Sequence, residues 1–229
     1  MQNLRDLWRE LSDRETDMRC VVLTGDGERA FCAGADLKER LGIDSDTWRN
    51  HHTLLEQAMF AMLECPVPII SAVNGAAFGG GLELVLASDF AYASTFATFS
   101  FPETALGIIP GAMGTQHLPD ACGIRRAKEL CFTGSVFTAG EALQWGIVNK
   151  VFPTSALLGE TLSTAKAIAR NAPLAIREAK KVINAAGQFD IRDGYTTELE
   201  AYNRLVATED RYEGIRAFNE KRRPKFNGR

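Results

Sequence analysis

Two glutamates of this 229-residue chain have surroundings that suit acid–base chemistry. Glu83 lies in "FGGGLELVLASDF", residues 78–90, where leucines and valines leave no polar helix face. Glu103 follows a proline in "FSFPETALGIIPG", at the end of a strand-like segment where Pro-Glu can open a helical turn. A buried glutamate is costly unless the backbone binds it or catalysis retains it, and both explanations remain open for Glu83. The helix dipole alone favours acids in a first turn by about 0.3–1 kcal/mol.

Two turns rich in small residues offer backbone N–H donors that would complement these acids. Gly79, Gly80 and Gly81 precede the predicted helix of Glu83, and the first N–H groups of a helix have no partner within it. The segment "FCAGADL", residues 31–37, contains a predicted helix N-cap, Asp36, and Glu39 follows it three residues later at capping-box spacing. Two such donors on one carbonyl oxygen stabilise the enolate of a thioester. Tight packing explains the small residues equally well.

Other chemistries fit the sequence less well. "GDGERA", residues 25–30, matches a dinucleotide-binding motif, but that motif needs a helix at its last glycine, and the following "FCAGAD" does not sustain one. His51 and His52 are neighbours on one predicted helix and point in different directions, and His117 stands alone. We interpret all three as surface or packing residues and expect carboxylates to carry any acid–base chemistry. The five cysteines form no C-x-x-C pair, which predicts free thiols and no metal site.

Alternating strand-like and helical segments in the first half predict an α/β core that positions these residues. A helix over residues 2–13 precedes the strand "RCVVLTG", and "SDTWRNHHTLLEQAMFAML" is a helix with one apolar face. "CPVPIISAVNG" and "ATFSF" are further strands, and the glycine run opens another helix. We predict that residues 1–150 form the α/β core.

From about residue 123 the pattern is helical. Each of these segments is predicted to be a helix: "IRRAKELCF", "TAGEALQWG", "SALLGETLSTAKAIARN", "PLAIREAKKVINAAG" and "DIRDGYTTELEAYNRLVATEDRYEGIRAFNEKRR". Residues 151–229 are therefore predicted to form a helical C-terminal region. No Pro/Ser-rich linker marks the boundary.

Composition excludes several classes of protein. Hydrophobic residues make up 45% and charged residues 24% of the chain, as in ordinary globular proteins. A formal net charge of −3 gives no electrostatic basis for nucleic-acid binding. We find no apolar stretch of membrane-spanning length and no signal-peptide core, and therefore expect a cytoplasmic protein with no membrane partner.

Four ordered motifs resemble the enoyl-CoA hydratase/isomerase (crotonase) superfamily: "AFCAGADLKE", "AAFGGGLELVLASDF", "FSFPETALGIIPGAMGTQ" and "EGIRAFNEKRRPKF". The resemblance runs from about residue 19 to the end of the chain. It implies an α/β fold, a spiral of ββα units followed by a helical C-terminal region that makes trimer contacts. Trimers of this family often pair into hexamers. The implied substrate is an acyl-CoA thioester, with no metal or redox cofactor.

The resemblance also implies roles for individual residues. The N–H groups of Ala35 and Gly80 match the oxyanion hole, and Glu83 and Glu103 match the two acids of the hydratases. Other matches lie along the acyl-CoA: Ala33, Asp36, Leu37, Lys38 and Gly111. A last pair matches residues that reach a neighbouring subunit's nucleotide: Phe218 and Lys221.

These matches imply syn hydration of a trans-2-enoyl-CoA. Glu83 would act as the base towards water, and protonated Glu103 would supply the proton to C2. Two alternatives stay open: a Δ3,Δ2-enoyl-CoA isomerase that uses Glu103 alone, or a non-catalytic acyl-CoA-binding protein.

The chain departs from the family pattern in three places. Family members usually begin with strands and an "NRP…NAL"-type segment, and this chain starts after it, so we expect either that the start is truncated or that one wall of the CoA channel is absent or supplied differently. "GAMGTQHLPD" replaces the usual "GGGGTQRLPR", and Met113 is expected to narrow the acyl pocket. The lysine-rich helix of the RNA-binding branch has no counterpart in "LRDLWRELSDRETD".

Overall fold

The structure is a computed structural model that describes residues 2–13 and 18–229. Its strands are β1 (Val21–Thr24), β2 (Ala30–Cys32), β3 (Ile69–Val73), β4 (Ala76–Phe78), β5 (Phe90–Ser94), β6 (Thr98–Ser100), β7 (Phe137–Thr138) and β8 (Lys150–Phe152). Its α-helices are α1 (Gln2–Asp13), α2 (Leu37–Arg40), α3 (Ser45–Leu63), α4 (Gly80–Ala87), α5 (Gly114–Cys122), α6 (Ile124–Thr133), α7 (Ala139–Gln144), α8 (Thr154–Ala169), α9 (Pro173–Ala185), α10 (Ile191–Val206) and α11 (Glu209–Asn219). Short 3-10 helices span Glu103–Leu106 and Ala186–Gln188.

The first six strands alternate between two sheets as the chain advances, and β7 then pairs with β6 before β8 returns to the first sheet. One sheet has the order β1-β3-β5-β8, and the other has the order β2-β4-β6-β7. The β3–β5, β5–β8, β2–β4 and β4–β6 pairs are parallel, and β6–β7 is antiparallel. Each repeat therefore gives one strand to each sheet before a helix returns the chain. This is the spiral of ββα units that the resemblance implied.

The core of this spiral is apolar and aromatic. Every residue of β3 is buried, as expected for a strand that lies inside a parallel sheet. On α3 the buried residues are Ala58, Met59, Ala61 and Met62, which agrees with the predicted apolar face. The rings of Phe99 and Phe137 stack with centroids 5.4 Å apart, and this pairing fixes the β6–β7 end of the second sheet.

A buried asparagine explains why "GDGERA" forms a loop. The amide of Asn74, which follows β3, donates to the carbonyls of Gly25 and Gly27 at 3.2 and 2.7 Å. Its oxygen accepts the N–H of Gly25 at 3.0 Å. These bonds satisfy backbone groups that a helix would otherwise have used, so the loop leads directly into β2.

Several predicted elements are confirmed, and others needed correction. The helix over residues 2–13, the three predicted strands and the helix at the glycine run are all present. Five strands were missed: β2, β4, β5, β7 and β8. Most contain only two or three residues, too few for alternation to appear in the sequence.

One boundary and one capping motif also differ from the prediction. The last predicted helix is two helices, α10 and α11, because Thr208 caps the second one by accepting the N–H of Arg211. Asp36 does cap α2, but it accepts the N–H of Lys38, not that of Glu39, so the predicted capping box does not form.

The described residues divide into two compact units. The first contains residues 2–10, 22–65 and 69–162, and the second contains residues 11–13, 18–21, 66–68 and 163–229. The second unit is mainly helical, and α9 packs against α10 within it. No helix in the described part of the chain is long and apolar enough to cross a membrane.

Candidate active site

Three consecutive glycines bring α4 to the ends of β2 and β6. Gly79 has a left-handed φ of 52°, and a Cβ on it would lie 2.6 Å from Oε1 of Glu103. A Cβ on Gly81 would overlap the carbonyl oxygen of Cys32, the last residue of β2. Gly80 has neither constraint, since the nearest atom to its Cβ position is Oε2 of Glu83 at 3.9 Å. The fold therefore requires glycine at positions 79 and 81, whereas at position 80 it leaves open space.

The turn before α2 lies against this glycine run. Gly34 has a φ of 88°, and its Cβ position is 2.9 Å from the carbonyl oxygen of Phe78 and 3.7 Å from the nitrogen of Gly80. Among the described residues, the N–H groups of Ala35 and Gly80 donate to no protein acceptor. Two free backbone donors from two loops are thus available to an oxygen atom of a ligand.

Glu83 lies one turn into α4 and is buried, with 2% of its surface exposed. Its Oε1 accepts the N–H groups of Ala112 and Gly114 at 2.6 and 2.9 Å. The residue between these donors, Met113, has a φ of 73°, and this left-handed turn aims both N–H groups at one oxygen. Backbone hydrogen bonding thus accounts for the burial of Oε1, while Oε2 faces the open space at Gly80.

Glu103 begins the first 3-10 helix, which the hydroxyl of Thr104 anchors by donating to the carbonyl of Cys131 at 2.7 Å. The carboxylate lies against Gly79, and its Oε2 is buried without a hydrogen-bond partner among the described residues. A buried carboxylate oxygen without a donor favours the protonated acid, because a neutral carboxyl loses less hydration than an anion.

The two acids differ in how their charge is compensated. Burial raises the pKa of Glu83, whereas the hydrogen bonds from Ala112 and Gly114 and the charge of His52 act to lower it. Burial also raises the pKa of Glu103, whereas a hydrogen bond from its own backbone N–H acts to lower it and the nearby charge of Glu83 acts to raise it. The pKa of each carboxyl is thus raised in the fold, and the two differ in their donors: Oε1 of Glu83 accepts two backbone N–H groups, and Oε2 of Glu103 accepts none among the described residues.

The sequence interpretation did not place His52 near this site. Its imidazole is half-buried, and Nε2 lies 2.6 Å from the Cβ position of Gly111, next to the turn that binds Glu83. His51 is exposed, as predicted. The sequence did carry a signal that His52 faces inwards: His52, Leu55 and Met59 lie at i, i+3 and i+7 on α3, and residues at this spacing share one helix face.

The remaining predicted positions lie in two places. Ala33, Leu37 and Lys38 are exposed on the turn and on α2, where the carboxylate of Asp36 is already used as the helix cap. In the second unit, Phe218 is 84% exposed at the end of α11 and Lys221 follows in a left-handed conformation, with a φ of 52°. No cluster of metal-ligating side chains occurs among residues 2–13 and 18–229.

Comparison with known proteins identifies the family of this chain. The chain matches the family described as Enoyl-CoA hydratase/isomerase over residues 1–229. It is 43% identical over 228 residues to Bacillus subtilis YngF, whose name refers to the same activities, covering 100% of this chain and 87% of that one. It is 40% identical over 212 residues to the short-chain-enoyl-CoA hydratase of Clostridium acetobutylicum, covering 92% of this chain and 81% of the relative.

A solved structure shows the same fold. The crystal structure of an enoyl-CoA hydratase from Bacillus anthracis superposes with a TM-score of 0.97 at 43% identity, covering 99% of this chain and 88% of that one. The spiral of ββα units and its helical C-terminal region are therefore a crotonase fold. The chain belongs to the enoyl-CoA hydratase/isomerase family.

Proposed function

We propose that this protein is an enoyl-CoA hydratase that adds water across the 2,3-double bond of a trans-2-enoyl-CoA. The observation that carries the proposal is the unequal environment of two neighbouring carboxyl groups. Glu83 has two backbone donors on one oxygen, and Glu103 has a buried oxygen with none. Hydration needs both a base and an acid, and this pair supplies them.

The proposed reaction starts at the thioester carbonyl. Its oxygen accepts the N–H groups of Ala35 and Gly80, which draws electron density away from C3. Glu83 takes one proton from a water molecule while the remaining hydroxide bonds to C3. Glu103 then gives its proton to C2, and exchange with solvent restores both acids. Addition is syn if both carboxyl groups lie on the same side of the alkene.

The isomerase alternative uses Glu103 alone to move a proton between C2 and C4. This mechanism gives Glu83 no role. It does not explain why two hydrogen bonds hold Oε1 of Glu83, or why Oε2 of Glu83 faces the open space at Gly80. We therefore prefer the hydratase. A non-catalytic acyl-CoA-binding protein would need neither the free donors nor the buried acids.

Substrate binding and assembly are further parts of the proposal. The acyl-CoA lies along Ala33, Asp36, Leu37 and Lys38 without a metal or redox cofactor. A homotrimer or a dimer of trimers places Phe218 and Lys221 at a neighbouring subunit's nucleotide. An exposed apolar stripe on α10 supports assembly through the helical region: Ile191, Tyr195, Leu199 and Tyr202. Analytical ultracentrifugation of the intact protein tests the trimer, and a monomer at micromolar concentration would contradict it.

The test of the reaction is hydration of crotonyl-CoA, followed by loss of the absorbance of the conjugated thioester. Glu83→Gln and Glu103→Gln are each expected to lower kcat by about 10²–10⁴-fold. Glu56→Gln, an exposed acid on α3, is the matched control and should keep full activity.

Other outcomes would overturn the proposal. Hydration that survives both substitutions rules out the two-carboxyl mechanism. Turnover of a 3-enoyl-CoA that only Glu103→Gln abolishes identifies an isomerase. Binding of acyl-CoA without turnover of any enoyl chain identifies a non-catalytic protein.

A further inference from the structure

We infer that His52 is a specificity-determining residue that binds a carboxylate carried on the acyl chain beyond C3. This inference rests on the proposed function and names the substrate class more closely: enoyl-CoA thioesters whose acyl chain ends in an acidic group. Two observations carry it, namely the position of the imidazole and its lack of a protein partner in the described part of the chain, and the proposed path of the acyl chain connects them to a substrate.

The imidazole stands edge-on above Gly111. A Cβ on Gly111 would lie 2.6 Å from Nε2, 3.4 Å from Cδ2 and 3.8 Å from Cε1 of His52. Any larger residue at position 111 would therefore clash with the ring where it now lies. Gly111 directly precedes Ala112, which donates to Glu83. The ring therefore lies beside the turn that positions one of the two acids.

Neither ring nitrogen of His52 has a hydrogen-bond partner in the part of the chain that the structure describes. A neutral imidazole carries one N–H donor, and a protonated imidazole carries two. An apolar acyl chain that displaced water from this ring would leave its donor unpaired, and an unpaired buried donor is costly. A ligand with an acceptor at this position avoids that cost.

The proposed function gives the acyl chain a direction across the site. In that pose the carbonyl oxygen accepts from Ala35 and Gly80, and C3 lies beside Oε2 of Glu83. The other oxygen of Glu83 is bound by the turn at residues 112–114. We expect atoms after C3 to pass this turn and to reach the imidazole beside Gly111.

Binding of saturated acyl-CoAs tests the inference without any turnover. Isothermal titration compares succinyl-, glutaryl- and adipyl-CoA with butyryl-, pentanoyl- and hexanoyl-CoA of the same chain lengths. We expect at least one acid to bind about tenfold more tightly than its apolar counterpart, since a hydrogen bond to a charged group is worth this much. His52→Leu should bring that ratio close to one, and His52→Gln, which keeps a donor, should retain part of it.

His51→Leu is the matched control, because it changes an exposed histidine on the same helix, and it should keep the full ratio. Thermal melts of all variants confirm that they are folded. A wild-type ratio near one at every chain length overturns the inference, as does a ratio that survives in His52→Leu. The proposed function is judged separately by crotonyl-CoA hydration, so either idea can fail while the other stands.

Discussion

Replacing Gly80 by alanine separates the demands of folding from those of catalysis within one glycine run. The new Cβ would lie 3.9 Å from Oε2 of Glu83, an ordinary van der Waals contact. Gly80 is also the first residue of α4, where alanine gains about 0.5–1 kcal/mol over glycine. We expect Gly80→Ala to fold normally, with a melting temperature equal to or slightly above that of the wild type.

Catalysis should respond in the opposite way. The methyl group enters the space between the N–H of Gly80 and the carboxylate of Glu83, where the thioester oxygen and the attacking water are proposed to bind. Displacing reacting atoms by about 1 Å costs about 10²-fold in rate, which corresponds to about 2.7 kcal/mol. The expected result is a kcat/KM for crotonyl-CoA lowered about 10²-fold or more in a protein that is at least as stable.

Gly81→Ala is the matched control, since its Cβ would overlap the carbonyl oxygen of Cys32 and force α4 away from β2. We expect that variant to lose several kcal/mol of stability. Circular dichroism melts and crotonyl-CoA kinetics on both variants complete the test. Wild-type kcat/KM in Gly80→Ala would refute the placement of substrate at this position, and unfolding of Gly80→Ala would refute the steric reasoning.

Two further predictions concern stability. Burial raises the pKa of Glu103 in the folded protein above its unfolded value of 4.5, so wild-type stability falls as pH rises through and above 4.5. The melting temperature of Glu103→Gln relative to wild type should therefore be higher at pH 7.5 than at pH 4. A difference that does not change with pH would contradict this. Asn74→Ala removes the bonds to Gly25 and Gly27 and should cost about 2–4 kcal/mol in urea unfolding, whereas a change below about 0.5 kcal/mol would show that water replaces the amide.

The sequence predicted the elements that have strong local signals. The amphipathic helices α1 and α3 and the apolar strand β3 have clear periodicity, and the glycine run marked the start of α4. The missed strands are β2, β4, β5, β7 and β8, each of which has five residues or fewer and depends on pairing with distant segments. Local sequence carries little information about such pairing.

The candidate site was predicted in part. Glu83 and Glu103 stood out by composition, and the structure places both at the glycine run, where their roles remain proposals. Sequence spacing did not reveal which atoms hold Glu83, because its donors are backbone N–H groups about 30 residues away. Nor did it reveal that His52 lies near the site, because that placement depends on Gly111 in another loop.

The way Glu83 is held has a consequence for how such a protein diversifies. Its donors are main-chain groups of Ala112 and Gly114, so the half-buried side chain of Met113 between them can change without altering those bonds, whereas Ala112 is buried and has little room for a larger side chain. The left-handed φ of 73° at Met113 limits which residues the turn accepts, but it does not tie the Met113 side chain to the hydrogen bonds on Glu83. Substitution at position 113 can therefore reshape the surface beside Glu83 while its backbone donors stay in place, which lets substrate range evolve separately from the proposed acid–base chemistry.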